Sequence, residues 1–461
     1  MIQIRRSLAR QLRAVFRRIV SKSSPVRPLI SFQAGDFGRS IRLHQTEIVA
    51  EFCEPGLWPV ENLAIPFDAL ADFEGRGDAI VTLEHHGSGI RAHWDDGGVP
   101  REMDYESHDV ASLPAFAVIP DKLSSNESAF LKALADASQC AGRDFIRYAI
   151  NHLQLRGKTG EVIATDGRQL LTQSGFHFTW DDDLLVPASP VFGCREIPQD
   201  MPVEVGRTDT HVCLKIGPWS LFLPINTEGR FPRTEEVIPD GSAAPTRWRI
   251  DPADALFLDK ALKRLPGASE VNAPVTVDLN GQAIIRAKAS DQPRATEVVA
   301  AKSPVEGKPA VICLNRNFLA RALQLGFTEI LVMKPEAPIL CQDGRRKFVV
   351  MPLAQSCAIQ PGGDVLRVET KQDCSSETTN PTPQRRTPTV ANPETNTNAA
   401  PQANGNSIGT LIAETEALRA MLHDAYVRSG KLLVAIRRNR KQAQAVQSTL
   451  AALKGLQHVD G

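Results

Sequence analysis

The chain has no CxxC pair and no Cys/His cluster, and its two most distinctive stretches, residues 162–171 and 348–353, hold no phosphate-binding loop and no nucleophile–base pair. Its eight cysteines are scattered (Cys53, Cys140, Cys194, Cys213, Cys313, Cys341, Cys357, Cys374), which argues against structural zinc and fits buried free thiols in a reducing cytoplasm. No apolar run reaches the roughly 18 residues of a membrane span. Net charge is absent as well: 53 basic residues balance 53 acidic ones, so any nucleic-acid contact must rest on where the charges lie. Two absences are local. The first 35 residues contain no acid, and Ala354 to Ser407 contains no aromatic residue.

What is present suffices for about three domains, since 461 residues at ~150 per domain allow that number and a hydrophobic share of 42% can fill their cores. The acid-free start places Ile4, Leu8, Leu12, Phe16 and Ile19 on one helical face and Arg6, Arg10, Arg13 and Arg17 on the other. The basic stripe reads as a solvated face or as a phosphate-facing one. An organellar transit peptide is a further reading; a secretory signal lacks its apolar stretch.

One plan recurs three times with a period of about 115 residues. Helices are predicted at Arg5–Val20, Asn126–Gln139 and Pro252–Leu265, the last behind an Asp251-Pro252 cap. Each leads into a strand pair: Leu29–Gln33 with Ser40–His44, His152–Leu155 with Glu161–Thr165, and Val275–Leu279 with Ala283–Ala287. A strand and a short second helix follow, then alternating strands such as VCLKI and LFLPI with one buried face.

Two stretches carry the functional reading. VIATDGRQLL (162–171) is a strand entering a tight Asp-Gly turn, and FVVMPL (348–353) is an apolar strand halted by Pro352. With Phe231-Pro232 and Val237-Ile238-Pro239 they resemble the peptide-binding pocket of the bacterial sliding clamp, the beta subunit of DNA polymerase III. The resemblance spans roughly residues 1–353 and implies an α+β fold of three clamp domains: 1–120, 121–243 and 244–353. It also implies a homodimeric, head-to-tail ring with helices lining the hole. Such a ring is a cytoplasmic, non-catalytic processivity factor without cofactor or metal, which encircles duplex DNA and binds polymerase and clamp-loader subunits through short peptides.

Carried onto this sequence, the resemblance implies a groove of Ile150, Thr165, Gly167, Arg168, Gln169, Leu170, Pro232, Val237, Val349, Met351, Pro352 and Leu353. Small apolar walls suit a leucine or aromatic anchor, and a flexible Met tolerates several partners. The family usually follows Asp-Gly with a His-like residue and Arg; Arg168-Gln169 stand here and change the charge at the rim. Sequence-independent phosphate contacts are expected from Arg6, Arg10, Arg13, Arg17, Arg27, Arg143, Arg147, Lys260, Lys263, Arg316 and Arg321. Against them stand the acidic Asp68, Asp72 and Glu74. The ring interface is expected between Met103 and Tyr105 of one copy and Leu262 and Leu265 of the next.

Residues 354–407, rich in Thr, Asn, Pro and Gln, read as a disordered linker. From Leu411 to Leu453 a 4-3 spacing of mostly apolar residues, with Thr415, Ser429 and Asn439 among them, reads as a heptad helix over 408–456, to pair with its counterpart in a ring, to dock on a foreign helix, or to stand alone and fray. Two alternatives to a processivity factor stand: a clamp-derived adaptor that does not encircle DNA, and a polymerase-type enzyme. No carboxylate pair with metal-site context supports the enzyme.

Overall fold

The structure, a computed structural model, describes residues 1–20, 27–44, 48–143 and 148–370. Arg147, most of the expected linker and the expected 408–456 helix lie outside them. One order of elements occurs three times. The first unit has β1 (Ile2–Arg5), α1 (Arg6–Ile19), β2 (Leu29–Gly35), β3 (Gly38–His44), β4 (Val49–Glu54), β5 (Glu61–Pro66), α2 (Leu70–Phe73), β6 (Ile80–His86), β7 (Gly89–Asp95) and β8 (Pro100–Glu106). The second has β9 (Ser124–Asn126), α3 (Ala129–Cys140), β10 (His152–Arg156), β11 (Glu161–Thr165), β12 (Gln169–Ser174), β13 (Asp183–Pro187), a 3-10 turn (Pro190–Gly193), β14 (Val203–Arg207), β15 (His211–Ile216) and β16 (Trp219–Pro224). The third has β17 (Thr246–Arg249), α4 (Pro252–Leu262), β18 (Pro274–Asn280), β19 (Gln282–Ala287), β20 (Ala295–Gly307), β21 (Ala310–Asn315), α5 (Arg316–Gln324), β22 (Glu329–Val332), β23 (Ile339–Asp343) and β24 (Arg346–Val350). A further strand, β25 (Val365–Glu369), follows.

The units join by one rule: the fourth strand of a unit pairs antiparallel with the last strand of the next. Thus β4 meets β16, from Val49↔Phe222 to Phe52↔Trp219, and β12 meets β24, from Gln169↔Val350 to Gln173↔Arg346. The result is an eight-stranded sheet, β5-β2-β3-β4-β16-β15-β14-β9, and a 13-stranded one from β13 to β21 with β25 against β20. With sheets crossing the junctions, the described residues up to Thr370 form one compact unit. The core crosses with them: Trp219 takes Phe16 of α1 and Phe52 of β4 edge-on, ring centroids 6.0 and 5.2 Å away.

Local sequence explains most elements. In α1 the residues Ala9, Leu12, Val15, Phe16 and Ile19 are buried at 3–4 spacing, and Arg17 and Arg18 end the helix where its dipole favours cations. Asp251 caps α4 by accepting from the Ala253 N–H, with Pro252 at the first position. Strand β3 alternates inside and outside along GRSIRLH.

Some expectations fail, each for a non-local reason. Ser124–Asn126 do not begin a helix; they pair with β14 and Asn126 bonds both the N–H and C=O of His177, so α3 starts at Ala129. Ile4 belongs to β1, not to the helix face. The linker does not begin at 354: Gln355–Cys357 form a 3-10 turn and Val365–Glu369 pair with β20. Among the described cysteines, Cys53 and Cys357 are exposed rather than buried.

Candidate peptide groove and helix-lined face

Strand alternation builds the groove floor. In β11, β12, β22, β23 and β24 one set of residues (Val162, Ala164, Leu171, Ile330, Cys341, Phe348, Val350) joins the main core with Phe130, Leu131 and Leu134 of α3. The intervening set (Ile163, Leu170, Leu331, Leu340, Val349) points to the other face and forms a separate apolar cluster. Phe231, Ile238, Ala244 and Met333 pack on it and are only partly buried. An apolar patch therefore lies on the sheet face turned away from α3, at the seam of units two and three. Beside it opens a polar cleft of about 550 Å³ that includes Ile163, Thr172, Ile238, Pro239 and Lys347.

The rim is held by hydrogen bonds. Asp166 Oδ1 accepts from the N–H groups of Arg168 and Gln169 at 2.8 and 2.9 Å, and Gly167 takes a φ of 87° that favours glycine. Thr165 Oγ1 accepts from Gly167 N–H and donates to the Gln169 carbonyl at 2.6 Å. The Gly142 N–H is shared by the carbonyls of Ile150 and Thr165, which ties Ile150 to the turn. Met351 N–H donates to the Arg168 carbonyl at 2.9 Å, extending the β12–β24 ladder past Val350. Met351 stays 42% exposed and Val237 44% exposed, while Pro232, Pro352 and Leu353 are half-buried. An Arg156–Glu235 ion pair anchors the 231–238 segment, and Glu235 is held below the usual carboxylate range by its own backbone N–H and by Arg156.

Of the twelve expected groove residues, Ile150, Thr165, Gly167, Arg168, Gln169, Leu170, Val349 and Met351 meet at this seam and its turn, Pro232 and Val237 lie in the segment whose Phe231 and Ile238 pack on the cluster, and Leu353 donates to the Cys313 carbonyl. Ile163, Leu331, Leu340 and Met333 belong to the same apolar cluster and were not among them; Phe231 and Ile238, quoted with the resemblance, also pack on it. Period-two alternation around Leu170 and Val349 is the signal that points to them. Arg168 does not point freely from the rim: its Nη1 donates to Asn272 Oδ1 of the third unit at 2.7 Å.

The basic residues divide into spent and available ones. Arg316 is 2% exposed, and its guanidinium donates to the carbonyls of Leu262, Leu265, Pro266, Ala273 and Pro274, closing the end of α4. It is a structural residue and not a phosphate ligand. Arg6 is tied to the carbonyls of Phe73, Glu74 and Asp95 and to Asp96, and Arg13 pairs with Glu74 at 2.6 Å. Arg321 sits at the α3–α5 contact beside Cys140, its Nε and Nη1 buried; burial pushes that thiol up to about 12 against the pull of Arg321. Lys263 pairs with Asp259. Arg10, Arg17, Arg143 and Lys260 are exposed and make no ion pair among the described residues. Arg27, also exposed, borders an apolar cleft of about 610 Å³ with Leu29, His44 and Phe116.

At the expected ring interface, Met103 is exposed, whereas Tyr105 packs on Phe73 and donates to Asp72. Leu262 and Leu265 are 0% and 6% exposed. Both are consumed by the core of their own unit and offer no surface to a second copy.

No protein-family model matches the chain, and no curated protein matches it in sequence. Solved structures do match. A DNA polymerase III subunit beta from Pseudomonas aeruginosa superposes at TM-score 0.63 with 19% identity, over 76% of this chain and 99% of that one. This is the sliding-clamp fold. A second structure from that organism, a DNA polymerase III subunit beta sliding clamp bound to griselimycin, gives TM-score 0.62 and 18% identity over 77% of this chain and 99% of that one. The DNA polymerase III beta chain of Streptococcus pneumoniae gives TM-score 0.64 and 15% identity over the same shares. In the sliding-clamp fold of this chain the apolar cluster of Leu170 and Val349 lies on one sheet face and α3 on the other.

Proposed function

We propose that this chain is a DNA sliding clamp: a non-catalytic, cytoplasmic processivity factor that assembles head to tail, encircles duplex DNA and holds polymerase and clamp-loader subunits by short peptides. The observation that carries the reading is the second apolar cluster, on the sheet face away from α3, with the partly buried Phe231, Ile238, Ala244 and Met333 packed against it. The partly buried Phe231, Ile238 and Met333 around it suit a leucine or aromatic anchor, the exposed Met351 and Val237 can adapt to several sequences, and the polar cleft beside it can take a glutamine. Arg10, Arg17 and Lys260, unpaired on the helices α1 and α4, suit loose contacts to phosphates without base reading. The three-unit division at 1–120, 121–243 and 244–353 belongs to this reading. Primer extension tests it. The chain should extend nothing alone and should lengthen the products of its cognate polymerase on primed circular DNA; extension without polymerase would favour an enzyme.

A second reading is an adaptor that uses the groove but does not encircle DNA. One observation favours it: the outer edge of β20, where the joining rule calls for another unit, is already occupied by β25.

A further inference from the structure

The joining rule leaves two strands to satisfy. The fourth strand of the third unit, β20, should receive the last strand of a following unit, and the last strand of the first unit, β8, should be received. A second copy supplies both. Among the described residues β8 is an open edge, paired with β7 alone and exposed along nearly its whole length. Its counterparts are apolar, WSLFLP in β16 and RKFVV in β24, whereas β8 reads PREMDYE. Charges at Arg101, Glu102, Asp104 and Glu106 are what an edge that spends time in water requires.

β20 is different. The chain leaves β24, fixes Leu353 to the Cys313 carbonyl, fixes the Ile359 N–H to Thr276, and returns as β25 along β20. The pairing runs from Ala295↔Val365 to Val299↔Glu369. Thr370 closes it by donating to the Val299 carbonyl at 3.1 Å and accepting from the Ala301 N–H, and Arg294 reaches Asp364 at 2.8 Å.

We propose that β25 is a built-in plug on the ring-closing edge, which must leave β20 before the β8 strand of a second copy can pair there. The inference rests on the clamp reading above. Three features make the plug removable. It pairs parallel where both internal junctions are antiparallel, a somewhat weaker ladder. It is five residues long, and Leu366 and Val368 stay 55% and 45% exposed, so little apolar surface holds it down. It also directly precedes the C-terminal extension, so a partner that captures the extension pulls on the plug.

The test is dimerisation that depends on β8. In a strand alternate N–H groups face opposite sides, so two consecutive prolines remove one donor on each. Leu366→Pro with Arg367→Pro should release β25, and Met103→Pro with Asp104→Pro should disable β8. In sedimentation velocity the full-length wild type should show no β8-dependent dimer at low micromolar concentration. The β25 variant should dimerise at least tenfold more tightly, the added β8 substitutions should abolish this, and a synthetic 361–370 peptide in excess should reverse it. A wild type that already forms the β8-dependent dimer, as tightly as the β25 variant, overturns the plug and leaves the ring reading intact. A β8-dependent dimer in neither protein overturns both.

Discussion

Leu170 and Val349 stand directly opposite each other across the β12–β24 seam, and neither exposes more than 4% of its surface. The same pair therefore joins two units and forms the bottom of the proposed groove. Leu170→Ala should destabilise the chain by about 2–5 kcal/mol, the usual cost of emptying a packed site, and weaken peptide binding as the floor sinks. Paired thermal melts and peptide titrations check this. A variant that melts like wild type would place Leu170 outside any packed cluster.

Met351 and Leu353 should behave in the opposite way. Met351 is largely exposed, so Met351→Ala with Leu353→Ala should leave the melting temperature within a few degrees. It should also reduce affinity for a leucine-anchored clamp-binding peptide by tenfold or more, as loss of apolar anchor contacts does. Fluorescence anisotropy gives the number, and unchanged affinity would remove the groove from the account.

Among the arginines, location in the fold separates binding from stability. Arg10→Gln with Arg17→Gln should lower the dependence of DNA binding on log salt by about 1 per residue without changing stability. Arg316→Ala should instead cost about 3 kcal/mol or more, because five carbonyls lose a charged donor in a buried site. Salt titrations of DNA binding and denaturant melts distinguish the two effects.

Acid should weaken the fold before it titrates carboxylates. His152 is held below its ordinary 6.5 by burial, with Asn151 and Asn226 bonded to its ring, and His44 is lowered by burial and by Arg42. A lowered folded-state pKa means that the unfolded chain takes up the proton first. The contribution is therefore complete above 6.5 and is lost as pH falls from there through the lowered values. Melts from pH 8 to pH 5 should show the decline, and His152→Gln should flatten part of it. Equal melting across that range would contradict the assignment of these rings as half-buried and neutral.

The three-fold plan was legible because its signals are local. Period-two alternation located the hairpins β2–β3, β10–β11 and β18–β19, Asp251-Pro252 fixed the start of α4, and Asp166-Gly167 marked the turn at the rim. What was not legible depends on distant chain. Arg316 looks like any surface arginine until the carbonyls of residues 262–274 converge on it. Leu262 and Leu265 read as interface leucines because nothing nearby shows what buries them. VLRVE in β25 sits in an aromatic-free stretch and becomes a strand only because β20 offers it an open edge.

Topological retention on DNA tests the central claim most directly. The full-length chain carrying Leu366→Pro and Arg367→Pro, in which β25 no longer occupies β20, is loaded by a clamp loader onto nicked circular duplex and followed before and after a single cut that linearises the DNA. An encircling clamp stays on the circle and slides off the cut ends within minutes, at a rate set by DNA length. Equal retention on circular and linear DNA would contradict the ring and leave only a groove-bearing adaptor.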